Sequence, residues 1–273
     1  MSLKAISNSN AMNNTLRRIY VIIKLIGFDP LDLLNTIRGL PFFFHDFFVI
    51  INQKGKDSKF YFGGIYPILG ERFSESGRMS GHYFHQDLLV ASKIFIANPK
   101  RHIDIGSRTD GFVAHVATFR QIEIIDIREQ KSKVNNIIFK KADLMQLPDD
   151  MVNSCDSISA LHSIEHFGLG RYGDHIDYNG YLKAIGNITK ILQIGGKFYF
   201  SVPIGNQRIE FNAHRIFSIA YLLDLFKNNF IINSFSYVDD KGDLFENVEL
   251  TQKEIDRNFK CNYGCGIFEL TKI

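Results

Sequence analysis

From about residue 100 onward, short apolar runs alternate with segments whose apolar residues recur at helical spacing. This alternation is typical of a parallel sheet whose strands are joined by helical crossovers, and it constrains the fold more than any other feature of the chain. Seven runs predict strands, at residues 101–105, 122–127, 137–140, 156–161, 197–202, 230–238 and 266–270. The pattern therefore predicts an α/β domain with a seven-stranded, doubly wound sheet.

Two crossovers carry a clear helical pattern. One runs from Tyr181 to Leu192 and stops at the Gly195-Gly196 pair, and the other covers Ile216 to Phe226. A polar stretch without a helical pattern separates the last two predicted strands. We therefore expect these two strands to pair antiparallel at the end of the sheet.

The N-terminal part differs from this pattern. Its first eleven residues are polar and are interpreted as a leader, and two apolar stretches of about 11–12 residues follow, Leu16–Ile26 and Leu40–Ile51. Each is short of the roughly 20 residues that span a bilayer, and charged residues and Pro30 lie between them. We expect core helices, with contact to a membrane surface as the alternative. The predicted division is residues 1–60 for the leader and helical extension and residues 61–273 for the main domain.

The composition limits the partners and the compartment. A net charge of +3 with scattered Lys and Arg argues against a nucleic-acid partner. The three cysteines cannot form two metal-binding pairs, so we interpret them as free thiols in a reducing cytoplasm. We predict a cytoplasmic protein, with peripheral attachment to a membrane as the alternative, and the sequence indicates no oligomeric state.

A glycine follows the first predicted strand in the segment HIDIGSRTDG. Gly106 at this turn lets the backbone approach a ligand closely, and the next helix offers free amide donors. Asp126 ends the second strand 20 residues later (126 − 106), the separation at which an acid reaches a ribose diol. The pair predicts a nucleotide site, without separating a dinucleotide from S-adenosylmethionine.

Residues within the same turn narrow the choice of ligand. Arg108 occupies the place of the middle glycine of a dinucleotide fingerprint, which disfavours NAD. Phe112 and Val113 follow Gly111 where a phosphate-binding P-loop has a lysine and a hydroxyl residue, which excludes a P-loop.

Four segments in order, HIDIGSRTDG, EIIDIR, KADLMQLP and CDSISALHSIEHFGLGRYGD, followed by GGKFYFSVP, resemble the Rossmann-like class I methyltransferases over residues 100–205. The resemblance implies S-adenosylmethionine as cofactor. It places Asp104 near the methionine amino group, and Asp126 with Ile127 at the ribose. The implied adenine contacts are Asp143 and the backbone of Leu144, and His162 would lie beside the transferable methyl group.

The turn itself departs from the methyltransferase pattern of closely spaced glycines. Ser107 and Arg108 stand there instead, and we expect both to contact the cofactor. Arg108 either pairs with the cofactor carboxylate or fills the cavity. Upstream, Tyr83 is predicted to cover the methionine portion.

A second resemblance covers more of the chain. The segments SGHYFHQDLLVA, HIDIGSRTDGFVAHV, IEHFGLGRYGD and FNAHRIFS are similar to an uncharacterised family known as domain of unknown function 268, from about residue 60 to the C-terminus. That family is itself similar to methyltransferases, and some members lie near genes for surface-polysaccharide assembly. The resemblance implies methyl transfer to a carbohydrate or glycan precursor.

Candidate catalytic residues follow the fourth predicted strand. His166 or Glu165 could act as the base that O-methylation requires, beside His162. In the next loop, Arg171 could hold an anionic group of the acceptor, together with Asp174. The alternative is structural: Glu165 orients a histidine, and Arg171 and Asp174 form an ion pair that fixes the loop.

His82, His85 and Asp87, joined by His162 or His214, have side chains that can bind a metal, but such residues more often cap a helix or cover a cofactor. We therefore predict no metal. Two other functions stay open at this point: a non-catalytic binding protein of a glycan-assembly complex, and an NAD-dependent sugar enzyme.

Overall fold

The computed structural model describes residues 23–24, 27–54, 59–77, 79–147 and 149–273. The chain divides into two compact units, Met1–Arg78 and Met79–Ile273. The domain division after residue 60 stays a prediction.

One long helix dominates the described part of the first unit. Helix α1 spans Pro30–Gln53, and the apolar stretch 40–51 is its C-terminal half. Pro30 stands in the first turn, where a helix needs no backbone donor, and Asp32 there favours the helix dipole. The first apolar stretch lies outside the described residues except for Ile23 and Lys24, which are helical.

The side chains of α1 are mostly exposed. Its segment Asp32–Gln53 has a mean hydropathy of 1.2 over 22 residues, and 6% of it is buried. By length and composition alone it could cross a membrane. Leu34, Ile37 and Phe48 are 51%, 54% and 62% exposed, and the packing of this helix against the main domain stays a prediction.

The second unit holds the sheet. All seven predicted strands are present, and the structure adds three short strands, β6, β7 and β9. In chain order the strands are β1 His102–Ile105, β2 Ile122–Asp126, β3 Ile137–Lys141, β4 Cys155–Leu161, β5 Leu192–Ile204, β6 Arg208–Glu210, β7 His214–Ile216, β8 Phe230–Val238, β9 Leu244–Phe245 and β10 Gly264–Lys272. Strands β6 and β7 form a separate pair, and β9 adds an eighth strand to the edge of the main sheet.

Five helices accompany these strands: α2 His82–Ala97, α3 Ala114–Ala117, α4 Gly180–Ile191, α5 Ile219–Phe226 and α6 Gln252–Asp256. Helix α4 ends before the predicted glycine pair, because Leu192 is already extended and opens β5. Helix α6 lies in the polar stretch where no helix was expected. Its N-cap Thr251 accepts the amide of Glu254, a pairing that the sequence TQKE carries locally.

The order of the main sheet is β3-β2-β1-β4-β5-β10-β8-β9. The first five strands in this order are parallel, and β10 is antiparallel to both of its neighbours. The predicted antiparallel pairing of the last two long strands is thus confirmed. The chain order reverses between β1 and β4, and in such a sheet a crevice opens at the carboxyl ends of the strands that flank this reversal.

Helices cover both faces of the sheet, so the doubly wound arrangement is confirmed. On one face α4 and α5 contribute Ile188 and Phe226 to an apolar cluster with Phe198 of β5. On the other face Ile94 of α2 packs with Ile124 of β2. The sheet is therefore held rigidly, and the loops at its carboxyl edge are free to form a site.

Candidate active site

A cavity opens at the carboxyl ends of β1 and β2 and beside the loops that follow β3 and β4. It contains about 530 Å³ of empty space, part of it open to solvent. The residues predicted from the sequence that line it are Gly106, Asp126, Ile127, Asp143, Leu144, His166 and Asp174. The structure thus brings together five of the predicted cofactor residues and two of the predicted catalytic residues.

Gly106 occupies a backbone conformation that favours glycine. Its φ is 65°, and a Cβ added there would lie 3.3 Å from Cβ of Ser163 and 4.0 Å from Oδ2 of Asp126. A side chain would therefore enter the space between the turn and Asp126. The Gly106–Asp126 pair predicted from spacing is a spatial pair in the fold.

Asp126 lines the cavity but is already paired. Arg128 donates to its carboxylate from Nε at 3.0 Å and from Nη2 at 2.6 Å, and the Arg128 guanidinium also lies 4.3 Å from the ring centre of Tyr172. Both Arg128 and Tyr172 line the cavity. Sequence reasoning missed Arg128, although a cation two residues after the expected ribose acid was a usable signal.

Asp104 and Ser107 lie under the turn and do not line this cavity, in contrast to the predicted cofactor contacts. Asp104 is fully buried and accepts hydrogen bonds from the Ser107 amide at 3.0 Å and from the hydroxyls of Ser107 and Ser159 at 2.6 Å each. Burial raises the pKa of Asp104 to about 6. All three bonds stabilise the turn, so the carboxylate is directed to the protein's own donors.

Arg108 does not fill the cavity. Its guanidinium pairs with Asp110 at 2.8 Å and lies 5.0 Å from the ring centre of Tyr83, on a side chain that is half exposed. The structure therefore excludes the alternative in which Arg108 fills the cavity.

Asp143 faces the cavity and accepts the Met145 amide at 2.9 Å.

A second cavity lies next to the first. Its lining is rich in histidine and tyrosine and consists of Tyr83, His162, Glu165, His166, Arg171, Asn212, Ala213, His214 and Tyr263. His162 and Tyr83, predicted to lie at the cofactor, therefore belong to this second cavity. Among the described residues, His166 alone lines both cavities.

His162 and Glu165 form a buried pair directly after β4. The Nδ1 atom of His162 lies 2.8 Å from Oε1 of Glu165, and both side chains are at most 3% exposed. Burial lowers the pKa of His162 to about 3 and raises the pKa of Glu165. His162 has a φ of 49°, a strained conformation that the surrounding hydrogen bonds to Ser201 hold in place.

His166 is oriented by a backbone carbonyl. Its Nδ1 lies 2.7 Å from the oxygen of Ala213, which fixes the proton on Nδ1 and leaves a lone pair on Nε2. Nε2 is 3.7 Å from Oε1 of Glu165. Burial lowers the pKa of His166, while Glu165 acts in the opposite direction. The ring is thus neutral near pH 7 and has a carboxylate beside the nitrogen that could take up a proton.

The structural alternative expected an ion pair between Arg171 and Asp174, but these two described residues have other partners. Asp174 accepts backbone amides instead, from Gly168 at 2.8 Å, Gly170 at 3.1 Å and Tyr172 at 3.2 Å. Arg171 donates to the carbonyl of Ala213 at 2.9 Å. Asp174 therefore fixes the loop by itself, because backbone donors within the turn are closer than the guanidinium.

The strand order and the two-sided helix layers define the fold as the Rossmann-like, class I methyltransferase type. The chain belongs to the family described as "Caenorhabditis protein of unknown function, DUF268", whose model matches residues 92–267. A search of curated proteins finds no match.

Solved structures with a similar fold share little sequence with the chain. The [4+2]-cyclase SpnF is 17% identical, with a TM-score of 0.48, over 69% of this chain and 80% of its own. N-methyltransferase NodS from Bradyrhizobium japonicum WM9, solved with S-adenosyl-L-homocysteine, is 11% identical, with a TM-score of 0.46, over 70% and 88%. The 1,6-didemethyltoxoflavin-N1-methyltransferase of Burkholderia thailandensis, with its acceptor and S-adenosylhomocysteine bound, is 16% identical, with a TM-score of 0.46, over 68% and 78%.

Proposed function

We propose that this protein is an S-adenosylmethionine-dependent methyltransferase that acts on a hydroxyl of a carbohydrate or glycan precursor. The observation that carries the proposal is the position of His166, which lines both the cavity at the sheet edge and the neighbouring histidine-rich cavity. A donor in the first cavity and an acceptor in the second would meet at this ring. We call them the donor cavity and the acceptor cavity.

The residues of the donor cavity fit an adenosyl compound. The absence of a side chain at Gly106 leaves the turn open beside Asp126, which would accept the ribose hydroxyls once Arg128 releases it. Asp143 and Leu144 would hold the adenine. When bound, S-adenosylmethionine supplies an electrophilic methyl group on a positively charged sulfur.

The chain's own contribution to the chemistry is a positioned base. His166 Nε2 would accept the proton of the acceptor hydroxyl, which makes the oxygen more nucleophilic. Glu165, 3.7 Å away, would stabilise the resulting imidazolium. Ala213 keeps the other ring proton in place, so only Nε2 can take up a proton. General-base catalysis of this kind contributes about 10²–10⁴-fold to a rate.

The lining of the acceptor cavity supports a sugar ligand. The rings of Tyr83 and Tyr263 offer apolar faces, and Asn212 and Arg171 offer hydrogen-bond donors. Arg171 would suit a phosphate on an activated sugar. The choice of a glycan acceptor rests further on the family resemblance of the sequence.

Binding of the cofactor product tests the first half of the proposal. We expect calorimetry to detect S-adenosylhomocysteine binding to the full chain and a clear loss of affinity in Asp126→Asn. The matched control is Asp224→Asn, which removes another aspartate paired with a cation, on the exposed surface of α5. If wild type binds neither S-adenosylmethionine nor its product, the methyltransferase proposal fails.

Turnover tests the second half. Incubation with methyl-labelled cofactor and a panel of nucleotide sugars should label one acceptor. His166→Gln should lower the turnover rate by about 10²-fold or more while leaving S-adenosylhomocysteine affinity within about twofold of wild type. If His166→Gln lowered S-adenosylhomocysteine affinity and the turnover rate by the same factor, His166 would instead serve to bind the donor.

One observation favours a non-catalytic alternative. The Arg128–Asp126 pair occupies the carboxylate that the ribose needs. If Arg128 cannot move, the protein would act as a binding partner in a glycan-assembly complex. The variant Arg128→Ala distinguishes the enzyme from the binding partner. If Arg128 can release Asp126, S-adenosylhomocysteine should bind to wild type and more tightly to the variant. If Arg128 blocks Asp126 permanently, S-adenosylhomocysteine should bind only to the variant.

We also propose contact of helix α1 with a membrane. Exposed apolar side chains on a helix of this length favour a lipid environment. The full chain should sediment with phosphatidylglycerol vesicles, and replacement of Ile37, Phe44 and Phe48 by Ser should abolish this. Extraction by carbonate would indicate a peripheral helix, and resistance to it a spanning one.

A further inference from the structure

Three potential metal ligands meet around His162, which lines the acceptor cavity. They come from three separate elements: His82 starts α2, His162 follows β4, and Cys265 lies in β10. One ligand atom from each lies within 4.8 Å of the other two. His162 and Cys265 are buried, and the His82 ring stacks on the His162 ring with centroids 5.2 Å apart.

An unsatisfied nitrogen points to a missing partner in this cluster. The Nε2 atom of His162 is buried and has no hydrogen-bond partner within the described part of the chain. Its Nδ1 is paired with Glu165 at 2.8 Å. In metal sites, a ligating histidine commonly donates from one ring nitrogen to a carboxylate and binds the metal through the other nitrogen. His162 has this arrangement, with Glu165 as the carboxylate and Nε2 without a partner within the described part of the chain.

The charges of the surrounding groups also suit a cation. Glu165 is 1% exposed, and within the described part of the chain its Oε2 has no hydrogen-bond partner, so a charge on this carboxyl needs compensation. A histidine binds a metal ion through its neutral imidazole. A divalent ion bound to two neutral imidazoles and one thiolate, with Glu165 behind His162, brings the total charge of the cluster to zero.

We propose that His82, His162 and Cys265 bind one zinc ion, with Glu165 as the positioning residue behind His162. Two imidazoles and one thiolate are ligands that Zn²⁺ takes in proteins, and a set of three leaves a fourth position for water or an acceptor oxygen. Binding releases the Cys265 proton to solvent, and no electrons are transferred. This assignment replaces the expectation, drawn from the sequence, that the protein holds no metal.

The distances require only a small adjustment, and the His82 ring must also rotate, because the two histidine rings lie nearly parallel, at 6° to each other, and their lone pairs lie in the ring planes. Ligand atoms at about 2.0–2.3 Å from zinc stand roughly 3.3–3.8 Å apart in a tetrahedral site. The present upper limit of 4.8 Å thus closes by about 1 Å. His82 is at the first position of its helix and half-buried, so it is the ligand that can move most easily.

The zinc content of the full chain tests the assignment without any activity measurement. After loading with zinc and passage over a chelating resin, wild type should retain about one zinc per chain by mass spectrometry. Cys265→Ser and His82→Asn should retain little. The matched control Cys155→Ser alters another buried thiol, outside the cluster, and should retain the metal. Glu165→Gln should weaken zinc affinity by about 10–100-fold.

Cobalt substitution provides a second readout. The Co²⁺ form of wild type and of Cys155→Ser should show a thiolate-to-cobalt charge-transfer band, absent from Cys265→Ser. Circular dichroism of the metal-free variants checks that they fold. If Cys265→Ser does not fold, the zinc content of His82→Asn and the cobalt band of wild type test the assignment in its place. Retention of less than about one-tenth equivalent of zinc by wild type, or equal retention by Cys265→Ser, would overturn the proposal. So would binding of copper in place of zinc.

Discussion

The buried carboxyl of Asp104 predicts an unusual dependence of stability on pH. Burial raises its pKa from the ordinary value of 3.8 to about 6. Between these two values the folded chain keeps the proton that the unfolded chain has lost. The stability from this group is complete below about pH 4, falls as the pH rises towards 6, and is flat above that.

The size of the effect follows from the two pKa values. The difference, 6 − 3.8, is about 2 pH units, and each unit corresponds to about 1.4 kcal/mol. Ionisation of Asp104 in the folded protein therefore costs about 3 kcal/mol. Asp104→Asn removes the titration, because an amide has the shape of the protonated acid but carries no ionisable proton.

Urea unfolding of both proteins between pH 4 and pH 7 measures this directly. We expect the free energy of unfolding of wild type, minus that of Asp104→Asn, to fall by about 3 kcal/mol over this range. Asp87, whose pKa burial also raises to about 6, remains in both proteins, and only the part of its titration that is independent of the charge on Asp104 cancels in the difference. The surface variant Asp224→Asn gives the baseline. A difference that stays constant or grows with pH would refute the reasoning.

Two further substitutions probe the donor cavity and the loop behind it. Gly106→Ala places a Cβ on a residue with a φ of 65°, at 3.3 Å from Cβ of Ser163. This change should lower the free energy of unfolding by about 1–2 kcal/mol and weaken S-adenosylhomocysteine binding in calorimetry. An unchanged affinity would mean that the turn does not contact the ligand. Arg215 is buried and donates to the carbonyls of Phe167 and Tyr178 at 2.6 and 2.9 Å. Arg215→Ala should cost about 3 kcal/mol in urea unfolding and make the loop between these two residues susceptible to protease, whereas a loss below about 1 kcal/mol would show that water replaces the guanidinium.

The sheet was predictable because its signal is local. The central parallel strands β1 and β4 are buried on both faces, so they read as short apolar runs whatever their neighbours are, and the half-exposed edge strand β3 still carries an apolar run of its own. The two-residue strand β9 leaves no such run, and it was missed. Helix α1 extends ten residues before the apolar stretch 40–51, because charged side chains such as Asp32 and Arg38 are tolerated on an exposed helix and leave no apolar run to mark its start.

The donor cavity was predicted better than the side-chain pairings within it. Spacing along the chain placed Gly106 and Asp126 together, because strand ends in a parallel sheet meet at one edge. The pairing of Arg128 with Asp126 and the choice of amides that Asp174 accepts depend on atomic positions to within a few tenths of an ångström, and the spacing of residues along the chain does not determine these positions. The cluster of His82 with Cys265 joins residues 183 positions apart (265 − 82), and no local pattern indicates such a meeting.

The position of β10 bears on how the domain folds. This strand holds eight residues in register with β5 and separates β5 from β8 in the sheet, although it follows both of them along the chain. The long edge of β5 therefore has no partner until β10 has been inserted. An unpaired edge of this kind invites pairing with other chains. Substitutions that weaken β10 would therefore promote aggregation as well as lower stability.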